Sequence, residues 1–558
     1  MKTMKRLLAI VLTISTLFIC SVSGAAAWQN VDTSSGTNSA SASDKISQLL
    51  EGIFDGTTLE IEDPARDHAG YVDLNQNGTI DDAGDIKMHF PDFVTVDGVI
   101  YAYFIQWNDH NGDWENEKSC VGLATSTDGI HFESKGVVIY PDEATGYDGY
   151  MASFPGVWYE DGVWYVAYEC NQDGNNGDIA LATSTNGIDF EKKGLILRHN
   201  PRWNWQNWNI GTPDLYKEGD VWYLTFHGFG REKKDCQIGL ATGTDIMNLT
   251  MQTEPVLPTS DDPAACDSGT AGRRDIIKAG EYYYMCYEVS TDGGANGRPY
   301  YDFSGSRWGH AFARSKDFIT WEKAPAQLHP STEENYAFDG PAWLPIGDRL
   351  WLYYRTPQTT TNAFELIRYD TVTDEETGIS VEINNSQTLH ISEITEGETF
   401  ETVSSLVDPK MIFTIYDLSL EKDGQIVDPL KTAAVSIPLP QKVFSDEATL
   451  YKFNSTHTLE KVTTELSENT FEFSTDVLGV YVIEAAPILF GDVNRDKTVT
   501  TGDALLALQT AVKKIKLDEK QYLLADVNGD HTITTSDALS ILQKAVGKID
   551  QFEIEKTV

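Results

Sequence analysis

Positive charge and cysteine are both scarce in this chain. Of its 558 residues, 42 are Lys or Arg against 85 Asp or Glu, a formal net charge of −43 at pH 7. Nucleic-acid binding requires clustered basic side chains that displace phosphate counterions, so no nucleic-acid partner is expected. The acidic excess suits solubility and cation sites instead. After the first 27 residues five cysteines remain, Cys120, Cys170, Cys236, Cys266 and Cys286, with no short-range pairing. That excludes a disulfide-stapled scaffold, and the cysteines read as small buried apolar residues. Long apolar runs are also missing beyond the start, so no membrane partner is expected. The start itself, "MKTMKRLLAIVLTISTLFICSVSGAAA", has a basic head, an apolar run and small residues before Trp28. It reads as a signal peptide over residues 1–27, which predicts a secreted, extracellular chain. Cys20 follows no small residue, which argues against a lipoprotein anchor.

What the chain has in abundance is a repeat. Five ungapped fifteen-residue copies begin at Pro91, Pro155, Pro213, Arg274 and Pro341: "PDFVTVDGVIYAYFI", "PGVWYEDGVWYVAYE", "PDLYKEGDVWYLTFH", "RDIIKAGEYYYMCYE" and "PAWLPIGDRLWLYYR". Glycine falls at the seventh or eighth place of each, where a hairpin turn needs positive φ, and aromatic residues crowd the second half. Each copy is a predicted β-hairpin. A second motif, "LATSTDGIHF" at Leu123 with relatives at Leu181, Leu240 and Phe312, supplies two further strands. Four short strands repeating about every sixty residues predict a five-bladed β-propeller over 86–372.

The end of the chain carries a different repeat. "DVNRDKTVTTGD" and "DVNGDHTITTSD" place oxygen ligands at loop positions 1, 3, 5, 7 and 12: Asp492, Asn494, Asp496, Thr498 and Asp503, then Asp526, Asn528, Asp530, Thr532 and Asp537. A hard cation such as Ca²⁺ takes six to eight oxygens, and this spacing wraps them around one point. Each loop runs into an amphipathic helix, "DALLALQTAVKK" or "DALSILQKAVGK". The duplicated loop and helix resemble a type I dockerin over about 487–552, which implies calcium as a structural cofactor and a cohesin module of a scaffold protein as partner. Lys497 and His531 depart from that pattern, because glycine usually eases the turn at position 6. A third acidic loop, Asp73 to Asp85, reads either as another calcium site or as a plain turn-rich loop. Residues 28–85 are otherwise assigned to an N-terminal linker, and alternating runs such as "ISVEI" and "GVYVIEA" predict a small β-sandwich over 373–486 that serves as a spacer.

Function is sought where the inner strands of a propeller begin and their partners return. Position 2 of the repeats is Asp92, Gly156, Asp214, Asp275 and Ala342, and position 15 is Ile105, Glu169, His227, Glu288 and Arg355. An aspartate at a strand entry can cap a turn. Capping leaves the strand-end acids unexplained, whereas converging carboxylates suit glycoside cleavage, in which one protonates the leaving oxygen and another activates water or attacks carbon. Trp107, Trp203, Trp205, Trp208 and Trp308 are available to stack on sugar faces, some of them as core. Glu169, His227, Arg355 and Trp208 are taken as substrate-binding residues.

The repeated hairpins, with "HFPDFV", "NIGTPDLYKEG" and "DGPAWL", resemble the five-bladed glycosidases of glycoside hydrolase family 43 and its relatives. The resemblance implies a polysaccharide substrate of the plant cell wall, arabinan, arabinoxylan or a related hemicellulose. It also implies Asp92 as base and Asp214 as the aspartate that tunes the acid, with the acid left open among Glu288, Asp275 and Asp339. That family places its aspartates just before the proline, whereas here they follow it. Two alternatives stand beside this reading: a non-catalytic glycan-binding propeller, and a glycoside phosphorylase whose phosphate would be held by Arg273, Arg274, Arg314 and Arg355.

Overall fold

The computed structural model describes residues 42–62, 71–73, 86–107, 118–231, 236–291, 308–325, 339–355, 363–422 and 424–556. The signal segment and residues 74–85 of the third acidic loop lie outside the described residues, as do the side chains of Asp73, Trp107, Asp339 and Arg355. Among the described residues no helix is long and apolar enough to cross a membrane. The chain divides into two compact units, Met1–Arg368 and Tyr369–Val558.

In the first unit each repeat forms the inner hairpin of an antiparallel sheet. Sheet one runs His89–Val96, Val99–Trp107, Ser119–Ser126 and Phe132–Ile139; sheet two runs Met151–Glu160, Val163–Asn171, Asp178–Ser184 and Glu191–Leu197. Sheet three runs Asn209–Glu218, Val221–Phe229, Cys236–Gly243 and Thr250–Met251, and sheet four runs Thr270–Ala279, Tyr282–Ser290, Trp308–Ser315 and Trp321–Lys323. Sheet five pairs Asp339–Ile346, Arg349–Arg355 and Ala363–Thr373, and is completed by Thr58–Glu62 from near the other end of the chain. The first strands neighbour one another in chain order, and the fifth returns to the first, which is the closed ring of a propeller. The turns obey local chemistry. Asp97-Gly98 and Asp161-Gly162 both take two positive φ values, 51° and 79°, then 52° and 80°, as a two-residue type I′ hairpin requires.

Two features depart from the sequence reading. The segment assigned to a linker supplies both the closing strand and the helix Ala42–Asp55. That helix spaces Ile46, Leu49, Leu50 and Ile53 along one face, where they are buried with Ile277, Tyr284, Trp343 and Leu350. The inner strands also start two to four residues before the repeat, and each carries a register shift near its start, as between Gly211 and Asp214. At these bulges the residue preceding the proline swings to positive φ: Phe90 49°, Phe154 50°, Thr212 41° and Gly340 64°.

In the second unit two sheets face each other across a core that includes Val381, Leu418, Val435, Leu450, Phe471 and Ile483. One sheet orders Ser380–Asn384, Ala433–Pro438, Thr470–Thr475 and Glu465–Ser467; the other is built on Thr388–Glu393, Ile412–Lys422, Val480–Pro487 and Val443–Phe453. The helices Thr501–Ala511, Glu519–Ala525 and Thr535–Ala545 follow. They are tied to the sandwich: Arg495 and Lys520 both pair with Glu447, and Leu524 is buried with Phe444 and Ala486.

Candidate active site and calcium loops

The strand bulges sort the predicted site residues into two tiers. In the upper tier Glu169, His227 and Glu288 stand at the ends of second strands and keep 6%, 8% and 8% of their surface. Glu169 Oε2 accepts the Thr212 N–H at 3.0 Å, and Oε1 accepts from Asn209 Nδ2 at 3.3 Å. The same Nδ2 lies 3.2 Å from His227 Nε2. An amide nitrogen only donates, so Nε2 accepts, and the ring proton sits on Nδ1, which donates to Thr212 Oγ1 at 2.7 Å. This neutral imidazole agrees with its surroundings: burial, with Arg274 nearby, pushes its pKa down to about 3. Burial also raises Glu169 to about 7 against the pull of its two hydrogen bonds. A glycine makes room for Glu169, and the equivalent glycine faces Glu288 at ordinary contact distance. A Cβ on Gly211 would lie 1.9 Å from Glu169 Oε2, and one on Gly272 would lie 3.4 Å from Glu288 Oε2.

The aromatic half of this tier comes from residues the sequence reading passed over. Phe90 and Phe154, both half-buried, meet edge to face with centroids 4.9 Å apart, and Phe90 lies against Gly340. Trp208 anchors its indole N–H on Asn175 O at 3.0 Å. Trp205 and Trp308 are core residues, and Trp203 packs against the same core. Asn209 and Thr212 were missed as well. The available signal was their place immediately before a proline-aspartate pair, where a bulge re-aims side chains.

Asp92, Asp214 and Asp275 form the lower tier, only 1%, 2% and 5% exposed. The three carboxylates converge, one oxygen of each lying within 4.8 Å of the other two, and two of them also reach a neighbouring sheet. Asp92 Oδ2 accepts the Val157 N–H of sheet two at 2.6 Å, and Oδ1 accepts the Phe93 N–H at 3.1 Å. Asp275 Oδ2 accepts the Trp343 N–H of sheet five at 2.7 Å. Burial raises Asp92 to about 7, helped by Asp275, and holds Asp214 well above the usual carboxylate range.

Two buried arginines hold the strand entries yet keep donors open, Arg273 Nε and Arg274 Nε and Nη1 having no hydrogen-bond partner among the described residues. Arg273 donates to Pro213 O at 3.2 Å and Pro91 O at 3.1 Å, while Arg274 donates to Thr212 O and, at 2.7 Å, to Thr212 Oγ1. Arg314 pairs with Glu322 at 2.8 Å and lies over Phe54 and Tyr282.

The C-terminal loops have the donor set of a hard-cation site. Asp492 and Asp526 gather backbone N–H groups of their own loops, from Asp496 and Lys497 and from Gly529, Asp530 and His531. Asp503 and Asp537 double as capping-box residues of the following helices. Asp537 is fully buried with Oδ1 unpartnered, an orphaned oxygen that a cation would satisfy. Burial raises Asp492, with Asp503 and Asp496 adding repulsion. Lys497 and His531 adopt φ of 70° and 63°, the conformation glycine usually supplies, and Lys497 Nζ reaches back to Pro409 O and Met411 O of the sandwich at 2.7 and 3.0 Å.

Over 151 residues the chain is 31% identical to a sucrose-6-phosphate hydrolase of Escherichia coli, a stretch that is 26% of this chain and 27% of that protein. The chain thus spans about a quarter of the length of that curated relative. Among solved structures it is similar to a thermostable family-43 glycoside hydrolase, 15% identical with TM-score 0.37, covering 52% of this chain and 90% of that one. It is also similar to a β-1,2-mannobiose phosphorylase from Listeria innocua, 15% identical with TM-score 0.40, covering 55% and 96%. Residues 490–545 match the family described as Dockerin type I domain.

Proposed function

We propose that this chain is a secreted, cellulosome-borne glycoside hydrolase whose working carboxylates are the upper-tier glutamates. The observation that carries the reading is Glu169. Its carboxyl is desolvated until its pKa is raised to about 7, yet each oxygen is held by one donor, Thr212 N–H or Asn209 Nδ2. A carboxyl that keeps its proton near neutral pH and has a fixed orientation suits protonation of a leaving glycosidic oxygen. Glu288, at the end of the second strand of sheet four, is the second carboxylate, as base or nucleophile. His227 is a positioning residue: through Asn209 it sets the donor that Glu169 faces. Phe90 and Phe154 offer an apolar floor for a sugar face. Asp92, Asp214 and Asp275 are left out of the chemistry on this reading, because they are almost wholly buried and Asp92 and Asp275 are held by backbone N–H groups of neighbouring sheets.

The phosphorolytic alternative draws support from Arg274, buried with Nε and Nη1 free of hydrogen-bond partners among the described residues, whereas Arg273 spends two donors on backbone carbonyls and Arg314 pairs with Glu322. The non-catalytic alternative draws support from one observation: the places just before the proline, where family 43 has aspartates, hold Phe90, Phe154 and Thr212. In the C-terminal loops Asp492, Asn494, Asp496, Thr498 and Asp503, with their counterparts 34 residues on, would hold two calcium ions that neutralise the acids and fix the helices. Leu505, Leu508 and Val512 of one helix and Leu539, Leu542 and Val546 of the other stay exposed and offer a cohesin an apolar face.

The test is release of reducing sugar from arabinan, arabinoxylan and related hemicelluloses, with and without phosphate, by the parent chain and by Glu169→Gln. The parent should act without phosphate, and the variant should lose roughly 10²- to 10⁴-fold in turnover. A folded Glu169→Gln chain that turns over within a few-fold of the parent removes Glu169 from the mechanism. A parent inactive on every polysaccharide that it binds favours the glycan-binding reading.

A further inference from the structure

The lower tier is a second group of acids that the proposed chemistry does not use. Asp92, Asp214 and Asp275 come from the first strands of sheets one, three and four, and each places one carboxylate oxygen within 4.8 Å of the other two. The Arg273 charge bears on all three, but its guanidinium is directed at Pro213 O and Pro91 O. Arg274 also bears on Asp214, so three ionised carboxylates against two guanidinium groups leave one uncompensated negative charge in the interior, a costly arrangement without a further cation.

Two oxygens at this place lack hydrogen-bond partners: Asp214 Oδ2 and the hydroxyl of Thr225, side chains that are 2% and 1% exposed. Thr225 is the cross-strand partner of Asp214, so both side chains stand on one face of sheet three. Oxygens bound 2.3–2.6 Å from one calcium lie no more than about 5 Å apart, a limit the three carboxylates already meet. The N–H groups of Val157, Phe93 and Trp343 fix the orientation of Asp92 and Asp275, the service that outer hydrogen bonds render to metal-binding carboxylates.

We propose that Asp92, Asp214 and Asp275, with the Thr225 hydroxyl as a fourth oxygen, form an interior site for a hard divalent cation such as calcium. Its ligands arrive on three different sheets, so the ion fastens the ring of sheets together. The site is separate from the C-terminal loops, and nothing in it depends on the reading of Glu169. The rival occupant is the proton.

The full-length chain carrying Asp503→Asn and Asp537→Asn, which disables both C-terminal loops, separates the two. After equilibration with calcium and gel filtration, metal analysis should find about one ion per chain, and chelation should lower the unfolding temperature of the propeller. Adding Asp214→Asn should abolish both. If that variant does not fold, Thr225→Val in the same background should bind calcium several-fold more weakly. A folded chain that retains no calcium and unfolds identically in calcium and chelator overturns the proposal. So does calcium that persists undiminished in Asp214→Asn or Thr225→Val, because it then belongs elsewhere.

Discussion

The two acid-rich regions of this chain are assembled in opposite ways. In each C-terminal loop the acids lie within twelve consecutive residues, and local turns close them around one point, with Asp492 collecting the N–H groups of its own loop. In the propeller Asp92, Asp214 and Asp275 are 122 and 61 residues apart, and only the ring of sheets brings them together. The comparison teaches where carboxylate repulsion is resolved. A loop draws its acids from one short segment with no other structure to hold them together, so metal binding and folding of that segment are one event. A propeller buries its acids and resolves the charge with backbone N–H groups, protons or an interior ion.

Chelation should therefore break the first region outright. The parent chain in excess chelator is expected to lose the helical circular-dichroism signal of Thr501–Ala511 and Thr535–Ala545, together with all cohesin binding. Retention of both would mean that the loops are pre-closed without metal.

Substitutions in the propeller divide the two tiers next. Glu169→Gln should cost roughly 10²- to 10⁴-fold in turnover with little change in unfolding temperature. Asp92→Ala should do the reverse, because it orphans the N–H groups of Val157 and Phe93 at about 1–3 kcal/mol each. If a folded Asp92→Ala chain loses activity as Glu169→Gln does, the tiers are not functionally distinct.

The pH dependence of propeller stability is a smaller effect with a definite sign. Asp92 and Glu169 have folded values near 7, above their ordinary 3.8 and 4.5. Their contribution is fully present below about pH 4 and is lost as pH rises to about 7. His227, lowered from 6.5 to about 3, acts in the opposite sense and loses its contribution as pH falls through that window. In chelator the unfolding temperature should fall between pH 5 and pH 8, and Glu169→Gln should flatten the decline. A temperature that rises over this range would contradict the assignment of buried, protonated acids.

The smallest expected effect separates the two loops from each other. His531→Gly relieves a positive φ and should tighten calcium binding at the second loop by roughly 1 kcal/mol, as calorimetric titration would measure. Lys497→Gly relieves the same strain but gives up two hydrogen bonds to the sandwich, so its net change should be near zero. Equal gains at both loops would show that the Lys497 contacts add nothing.

The repeats, their hairpin turns and the closing aromatic rows were legible because each depends on neighbours in sequence: an Asp-Gly turn or a period of two needs no distant partner. The strand-end acids Glu169 and Glu288 were legible for the same reason, since hairpin geometry alone puts them beside the strand entry. That Asp92, Asp214 and Asp275 converge was legible too, from their shared place in the repeat, but how deeply they are buried was not. A single bulge at Phe90, Thr212 or Arg273 shifts the parity of everything after it, and the pattern of apolar residues does not announce the bulge.

The calcium-loop ligands follow from the order of residues alone, because a twelve-residue loop brings its own oxygens together at little entropic cost. The five hairpins follow likewise from turn and strand chemistry. Tertiary structure alone decided that Thr58–Glu62 completes sheet five and that Ala42–Asp55 covers its neighbours. It also decided that His227 is neutral, that Glu169 is desolvated against Gly211, and that three converging aspartates from separate sheets are almost wholly buried. Each of these is set by what packs around a group, and those neighbours are supplied by segments dozens to hundreds of residues away.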